Sequence, residues 1–444
     1  MQIPIAAPSL REAARTWGYV GVNSFGGPAG QIAVMHRVVV DERKWVDEKR
    51  YLHALNFCMV LPGPEALQLA VYLGWVLNGV AGALVAGILF VLPGLAVMAV
   101  LAAGYASFGD IGWISAILFG ISTAVIAIVV QAVVRVGRRS LRTPALVALA
   151  VAAFVALAFF NILFPFVVIA ALAIGWVVGR RSPDALSVRV DKGADVDQVS
   201  KSAARSARRA GYAALVLWAV PLLLLMAALG MENVFSQQAW LFAKTAVLSF
   251  GGAYAALSYV SQQAVVNYEW LEPRDMVAGL GLAETTPGPL VLVMTFVGYV
   301  GAFRSADELG MPAVAAGLIG FVIAAWATFL PSFGFVLIGA PSVERLRHNP
   351  RIAGALAAVT AAVVGVIADL ALWFSLNVLF GELSEETWGP VTVDVPTTGS
   401  LDVWALALTV ACLVLVLGVK WGLLRVLVFA ATAGLILSAI GAHP

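Results

Sequence analysis

The sequence has few charged residues. Asp, Glu, Lys and Arg make up 12% of the 444 residues, hydrophobic residues make up 61%, and mean hydropathy is +0.94. A soluble domain usually carries about 25% charged residues. Because a chain with half that share cannot cover its surface with water-binding groups, lipid is expected to cover much of it. The composition therefore indicates an integral membrane protein.

Cysteine and histidine are also scarce. Cys58 and Cys412 each lie in an apolar segment, so neither a structural disulfide nor a cysteine metal site is expected. The four histidines show no metal-ligand spacing, and a net charge of +2 is too balanced to indicate nucleic acid. The first ten residues lack the features of a cleavable signal peptide. We therefore expect no cofactor, no metal and no nucleic-acid partner.

Long apolar runs occupy most of the chain. Runs of roughly 18 or more residues predict spanning helices. Further segments carry Gly or Pro near the middle, and lipid tolerates such breaks only where they face protein or a water-filled cavity. An all-α membrane protein with about 10–14 segments is predicted. The unbroken runs cover about 79–104, 113–134, 143–160, 162–179, 212–230, 311–340, 352–378, 402–419 and 421–440, and the broken ones about 11–40, 51–77, 240–263 and 275–303.

Basic residues are distributed unevenly. Lys and Arg cluster at 135–142, 180–209 and 345–351, whereas the loop 381–402 holds acidic residues and neither Lys nor Arg. The positive-inside rule places the basic clusters in the cytoplasm and the acidic loop outside. Counting helices from these anchors predicts a cytoplasmic N-terminus and an external C-terminus.

Short motifs recur at one spacing of 225 residues, which indicates an internal repeat. The predicted division is a first membrane repeat (1–180), a cytoplasmic linker (181–210) and a second membrane repeat (211–444). The predicted topology orients the copies oppositely, an arrangement that places binding sites at the membrane midplane on discontinuous helices. The alternative is that Gly and Pro only relieve helix packing. Ser24-Phe25-Gly26-Gly27 recurs as Ser249-Phe250-Gly251-Gly252, Trp45 as Trp270, Pro62-Gly63-Pro64 as Pro287-Gly288-Pro289, and, after an insertion, Leu92-Pro93 as Leu330-Pro331.

The Pro-Gly-Pro motifs predict helix breaks, because Pro removes an amide donor and clashes with the preceding turn, whereas it suits the first turn of a new helix. Segments 65–77 and 290–303 should therefore begin as half-helices whose free amides attract an anion. Ser-Phe-Gly-Gly would add amides and a hydroxyl. The candidate substrate-binding residues are Ser24, Phe25, Gly26, Gly27, Gln31, Pro62, Gly63, Pro64, Gln68, Ser249, Gly251, Gly252, Thr285, Thr286, Pro287, Gly288 and Pro289.

Charged residues near the breaks supply further candidates. Glu65 and Glu284 are candidates for proton coupling, because ionisable groups in membrane segments are functional hypotheses and burial favours a protonated carboxyl. Glu65 capping its half-helix is the alternative. Lys244, His36 and Arg37 are candidates for attracting anions, with snorkelling of Lys244 and an interfacial ion pair as the alternatives.

These motifs resemble those of the chromate ion transporter (CHR) family, in its long two-domain form, over nearly the whole chain. The resemblance implies export of chromate, with sulfate as a related oxyanion, across the bacterial inner membrane. Gln31 stands where His is expected in many members, so no proton role is assigned to it. The motifs that carry the resemblance are Ser24 to Pro28, Trp45, Leu61 to Glu65, Gln68, Tyr72 to Trp75, Phe90 to Gly94, Phe250 to Gly252 and Glu284 to Pro289.

The sequence thus predicts a secondary transporter that exports chromate, driven by membrane potential, proton coupling or both. Alternatives are a proton-coupled sulfate-type uptake permease, a channel and an intramembrane enzyme. Against an enzyme, the chain has no HExxH pattern, Ser/His pairing or cofactor loop in strand context. The expected partners are the oxyanion and the lipid bilayer, and a homodimer is left open.

Overall fold

A computed structural model describes residues 8–59, 61–109, 111–186, 201–250, 253–342 and 350–442. These residues are mostly helical, which confirms the predicted all-α membrane class. Six helices are long and apolar enough to cross a membrane: Glu65–Phe108, Gly112–Ser140, Phe164–Arg181, Lys201–Leu229, Ala313–Gly339 and Arg351–Leu379.

The helices are labelled in chain order. They are α1 Leu10–Asn23, α2 Gly27–His36, α3 Glu48–Cys58, α4 Glu65–Phe108, α5 Gly112–Ser140, α6 Pro144–Ala158, α7 Phe164–Arg181, α8 Lys201–Leu229, α9 Val234–Leu248, α10 Ala253–Gln262, α11 Pro273–Thr285, α12 Val293–Arg304, α13 Ala306–Leu309, α14 Ala313–Gly339, α15 Pro350–Leu379, α16 Val403–Leu413 and α17 Leu423–Ala439. Three runs predicted to span, at 143–160, 402–419 and 421–440, form the shorter helices α6, α16 and α17.

The chain forms two compact units. The first comprises residues 1–103, 191–256 and 286–348, and the second comprises 104–190, 257–285 and 349–444. Each unit takes segments from both sides of the predicted linker, so the units differ from the predicted repeats, and the division into repeats stays a prediction. Within that linker, α8 already begins at Lys201, and residues 187–200 lie outside the described residues.

Local backbone conformation recurs at the 225-residue spacing. A π-helical turn follows α2 at Arg37–Glu42, and another follows α10 at Gln263–Asn267. Lys44 and Glu269, again 225 residues apart, share a φ of 53°. A non-glycine residue in this region carries strain of about 1–3 kcal/mol. The recurrence of this strained turn in both copies supports the sequence repeat. The opposite orientation of the copies stays a prediction.

Helix α4 folds back on itself in the first unit. Its backbone leaves helical geometry at Asn78 and Gly79, and Gly79 has a φ of 62°. Gly74 and Gly82 pack so closely that a Cβ on either would collide with the other's carbonyl oxygen. In a continuous helix they would be about 12 Å apart. The first arm, 65–77, is about 20 Å long, shorter than the bilayer core of about 30 Å.

The second copy forms a similar helical hairpin from α12 and α14. A Cβ on Gly298 would lie 2.6 Å from the Gly320 carbonyl oxygen. Small residues allow helix backbones to approach this closely in membranes. The half-helices predicted at 65–77 and 290–303 are therefore each the first arm of a tight helical hairpin, although the second starts with a 3-10 turn, Leu290–Leu292.

In the second unit, α15 packs against α6 and α7 through glycines. A Cβ on Gly365 would collide with the Ala150 carbonyl, and one on Gly354 would lie 2.5 Å from the Gly175 carbonyl oxygen. The predicted outer loop forms an antiparallel hairpin, β1 Leu383–Trp388 and β2 Val391–Pro396. This hairpin was not predicted, although alternating Val391, Val393 and Val395 are typical of a strand.

Candidate functional site

The two Pro-Gly-Pro breaks bond to the Ser-Phe-Gly-Gly breaks of the opposite copies. The Gly63 amide donates to the Ser249 carbonyl at 3.1 Å, and the Gly288 amide donates to the Ser24 carbonyl at 2.8 Å. Residues 63 and 288, like 24 and 249, are related by the 225-residue spacing. The two hydrogen bonds are therefore one interaction, exchanged between the copies, as a pseudo-twofold axis would produce. All four residues belong to the first unit.

These hydrogen bonds determine which backbone amides remain able to bind an anion. The Gly63 and Gly288 amides already have acceptors, so the free donors expected at the breaks must follow them in the chain. At the start of α4, Gln68 donates to the Pro64 carbonyl at 3.0 Å. The amides of residues 66 and 67 precede this first intrahelical bond and have no acceptor within the helix. In the second copy, Leu292 already donates to the Pro289 carbonyl at 2.9 Å.

Gly63 leaves room for polar side chains at the first break. Its φ is 113°, and a Cβ there would lie 2.9 Å from Gln68 Nε2 and 3.0 Å from Ser332 Oγ. Gln68 Nε2 donates to the Pro62 carbonyl at 2.6 Å. Only glycine avoids both the strain of this backbone and the contact with these two groups.

The second break is held differently. Gln31 Nε2 donates to the Gly288 carbonyl, and Gly288 has a φ of 102°. A Cβ on Gly94 would collide with the Pro287 carbonyl oxygen. Gln31 and Gln68 are not related by the repeat spacing, so the amide side chains make the two halves of the site unequal.

Three buried polar side chains in this site keep unused hydrogen-bonding capacity. Gln31, Gln68 and Ser332 are each 1% exposed or less, and Gln31 Oε1, Gln68 Oε1 and Ser332 Oγ have no protein partner. A buried polar atom without a partner costs about 1–3 kcal/mol. The Ser332 hydroxyl and the second amide hydrogens of the glutamines can donate to an oxyanion. We refer to these three side chains and the amides of residues 66 and 67, which lie at the two Pro-Gly-Pro breaks, as the donor cluster.

Sequence reasoning missed Ser332. The repeat contained a signal for it, because Leu92-Pro93-Gly94 aligns with Leu330-Pro331-Ser332. Gly94 and Ser332 are therefore equivalent positions. Their surroundings are also exchanged, since Gly94 packs against the second Pro-Gly-Pro and Ser332 borders the first.

The other predicted residues of the Ser-Phe-Gly-Gly motifs contribute mainly backbone. The Ser24 hydroxyl donates to the Val20 carbonyl at 2.6 Å, and the Ser249 hydroxyl donates to the Ala246 carbonyl at 3.3 Å. Both hydroxyl hydrogens are thus used within their own helices. Phe25 is exposed, and Gly26, with a φ of 86°, caps the N-terminus of α2, whose first residue is Gly27. The predicted residues Gly251 and Gly252 lie outside the described residues.

The predicted carboxyl residues fall in different units. Glu65 is the first residue of α4 and half-buried, whereas Glu284 is buried near the end of α11, in the second unit. Thr285, beside it, donates to the Leu282 carbonyl at 2.7 Å. Thr286 is buried in the first unit. The proton-coupling roles of Glu65 and Glu284 stay predictions.

The predicted cations are partly engaged by acidic neighbours. His36 contacts Glu48 at 2.5 Å and Asp41 at 3.3 Å, and the hydrogen bond with Glu48 is the main cause that raises the pKa of His36. Arg37 pairs with Glu42 at 3.5 Å. This geometry favours the interfacial-pair alternative for both. Lys244 is half-buried on α9, four residues before the helix ends at Leu248.

No group of three or more His, Cys, Asp or Glu side chains within the described part of the chain is placed to hold a metal ion. Spanning helices, short hairpin arms and a buried donor cluster at duplicated helix breaks together define a polytopic membrane transporter.

The chain belongs to the chromate transporter family, whose model matches residues 11–176 and 236–435. A chromate transport protein of Pseudomonas aeruginosa is 33% identical over 78% of this chain and 76% of its own length. One of Cupriavidus metallidurans is 28% identical over 81% of each chain. An uncharacterized transporter of Methanocaldococcus jannaschii is 28% identical over 81% of this chain and 83% of its own. No solved structure matches significantly.

Proposed function

We propose that this protein is a secondary transporter that exports chromate and similar tetrahedral oxyanions, such as sulfate. One observation carries the proposal: exchanged hydrogen bonds, from Gly63 to Ser249 and from Gly288 to Ser24, join each Pro-Gly-Pro break to the Ser-Phe-Gly-Gly break of the other copy, and all four residues lie in the first unit. The family supplies the substrate, since two of its relatives are named chromate transport proteins.

The donor cluster suits a dianion. Helix N-terminal amides and neutral hydroxyl or amide groups bind oxyanions without a permanent counter-charge. A site of neutral donors also lets the anion leave again, which a carrier requires. Glu65 begins the same helix, and its carboxylate would repel the anion. Protonation of Glu65 is therefore the step by which proton binding would favour anion binding.

The membrane potential favours export. Moving one charge across 100 mV is worth about 2.3 kcal/mol, so a dianion leaving an inside-negative cell gains about 4.6 kcal/mol. Since 1.4 kcal/mol is a factor of ten, this supports a gradient of more than about a thousandfold. Export needs no coupled ion. Uptake would need protons, which Glu65 or Glu284 would carry.

The proposed location is the bacterial inner membrane, with the N-terminus in the cytoplasm and the C-terminus outside. The basic clusters support this orientation through the positive-inside rule. Reporter fusions at either end of the chain test it, since activity of a periplasmic reporter at the N-terminus would reverse the orientation.

The decisive experiment measures flux from proteoliposomes loaded with chromate or sulfate, with the loaded side made electrically negative. We expect saturable, voltage-driven chromate exit, lost in Gly63→Leu. Gly230→Leu is the matched control, because Gly230 also has a positive φ, 79°, but its Cβ would meet nothing within 4 Å.

The other outcomes separate the alternatives. Flux that ignores voltage and follows a pH gradient would replace the exporter with a proton-coupled permease. Flux that does not saturate would indicate a channel. If neither anion moves, the substrate assignment is wrong. If Glu65→Gln and Glu284→Gln both transport normally at every pH, the proton-coupling role of these carboxyls fails.

A further inference from the structure

The second unit contains an acidic pocket of about 190 Å³, apart from the donor cluster of the first unit. It lies beside the ends of α6 and α7, and the β-hairpin forms part of its wall. The Thr392 amide holds the hairpin there by donating to the Phe159 carbonyl at 2.9 Å. The polar residues that line it include Asn161, Ser258, Ser261, Asp369, Glu385 and Asp394.

Asp369 is the residue that most needs an explanation. It is the one acidic residue in α15, a helix that is apolar enough to span a membrane. Ten residues, about 15 Å of helix, separate it from the helix end at Leu379. An acidic residue within an apolar helix long enough to span a membrane is rare and marks a functional site by default. A single Asp in a long apolar run is a signal that the sequence alone contains.

The residues that line the pocket include no Lys, Arg or His. Burial and the charge of Glu385 raise the pKa of Asp394. The three carboxyls therefore lack a basic partner in the pocket. The described residues contain no group of three carboxyls close enough to share a metal ion. These two facts favour protons over a divalent cation as the neutralising ligand.

The charged and titratable groups described on the surrounding helices do not line the pocket. On α7, Arg180 lies about 24 Å along the helix from Phe164, which lines the pocket. On α5, Arg135 is exposed and donates to Gln131. On α11, Asp275 accepts from the Tyr105 hydroxyl, and the buried Glu284 does not line the pocket.

Two further groups complete the surroundings. Tyr259 on α10 packs its ring on Phe164, and Asp402 accepts from the amides at the start of α16. Neither lines the pocket. Glu385 and Asp394 are therefore the titratable groups that face Asp369 across it.

Ser261 gives an independent sign that the pocket binds something. Its side chain is 2% exposed, it lines the pocket, and its hydroxyl has no protein partner. By contrast, the Asn161 amide oxygen accepts from Gln262 Nε2 at 2.9 Å. A buried hydroxyl without a partner marks a place for a water or a ligand, and a hydroxyl can both donate to a carboxylate and accept from a carboxylic acid.

We infer that Asp369 is a proton-binding residue, loaded from water in the pocket and assisted by the Ser261 hydroxyl. A hydronium ion delivers its proton to the carboxylate and leaves a neutral carboxylic acid and a water. Glu385 and Asp394 concentrate protons at the pocket. Use of this proton in anion transport rests on the proposed function, whereas the binding itself does not.

The first test needs no transport. Infrared difference spectra between acid and alkaline pH, recorded on the full-length protein in lipid, should show the carbonyl stretch of a buried carboxylic acid. Asp369→Asn should remove that band, and Ser261→Ala should shift its frequency. The matched control is Glu382→Gln, an exposed carboxyl beside the hairpin that does not line the pocket, which should leave the band unchanged.

Two results would overturn the inference: a band that persists in Asp369→Asn, or pH-independent binding of radioactive sodium that Asp369→Asn abolishes. If Asp369→Asn does not fold, Asp369→Glu should keep a band at a shifted frequency, and an unshifted band would count against Asp369. The second test is chromate flux across a pH series, whose profile should flatten in Asp369→Asn and not in Glu382→Gln. Loss of the infrared band with no flux in any protein would retain the proton site and reject the proposed substrate.

Discussion

Gly63→Ala is the sharpest test of the donor cluster. At a φ of 113° an alanine carries backbone strain of about 1–3 kcal/mol. Its Cβ would lie 2.9 Å from Gln68 Nε2 and 3.0 Å from Ser332 Oγ, so these groups must move. Displacing Gln68 breaks its hydrogen bond to the Pro62 carbonyl, which contributes about 0.5–1.5 kcal/mol. The expected loss of unfolding free energy is about 1.5–4.5 kcal/mol.

The control for this prediction is Gly310→Ala. Gly310 has a φ of 62°, and its Cβ would meet nothing within 4 Å. It should lose about 1–2 kcal/mol from backbone strain alone. Both variants would be unfolded by denaturant titration in detergent, and chromate flux would be measured in proteoliposomes. The reasoning is refuted if Gly63→Ala loses no more stability than Gly310→Ala and also transports chromate at the wild-type rate.

Three other predictions concern residues around the donor cluster and the acidic pocket. Gly94→Ala should prevent folding, because its Cβ would collide with a backbone carbonyl. Gly104→Ala, in open space on the same helix, should instead gain about 1 kcal/mol of unfolding free energy. The two variants are compared by their expression levels and size-exclusion profiles. Ser332→Ala should not lower the melting temperature, because the buried hydroxyl has no protein partner and its burial is unfavourable. It should raise the KM for chromate, and an unchanged KM would remove Ser332 from the site. Burial, and to a lesser extent the charge of Glu385, raises the pKa of Asp394. Its ionised form therefore destabilises the fold at neutral pH, and this penalty vanishes as pH falls toward about 3.9. Asp394→Asn should therefore melt above wild type at neutral pH and equal it in acid, and a constant difference would contradict this.

The helix breaks could be predicted because they depend on local chemistry. Pro-Gly-Pro interrupts a helix wherever it occurs, since Pro lacks an amide hydrogen. The structure accordingly begins α4 at Glu65, directly after Pro64. The bend at Gly79 also fell between two predicted segments. What local chemistry did not reveal is that both arms fold back as tight hairpins, because that depends on Gly74 meeting Gly82.

Assignment of the donors was less complete, for a physical reason. The prediction placed free amides at the starts of segments 65–77 and 290–303, and it did not reveal that the Gly63 and Gly288 amides, just before those segments, donate to carbonyls of distant segments. An acceptor more than 180 residues away leaves no local trace. Ser332 was missed for the same reason, since its importance comes from bordering Gly63 rather than from its own surroundings in the chain.

By itself the sequence determined the membrane class, the positions of the breaks and the repeat spacing, because hydropathy, proline chemistry and residue identity are properties of short segments. The tertiary structure alone decided which glycine amide meets which serine carbonyl. It also decided which buried polar atoms keep unused hydrogen-bonding capacity and where Asp369 lies relative to Glu385 and Asp394. Each of these depends on the packing of segments far apart in the chain, which neither composition nor periodicity specifies.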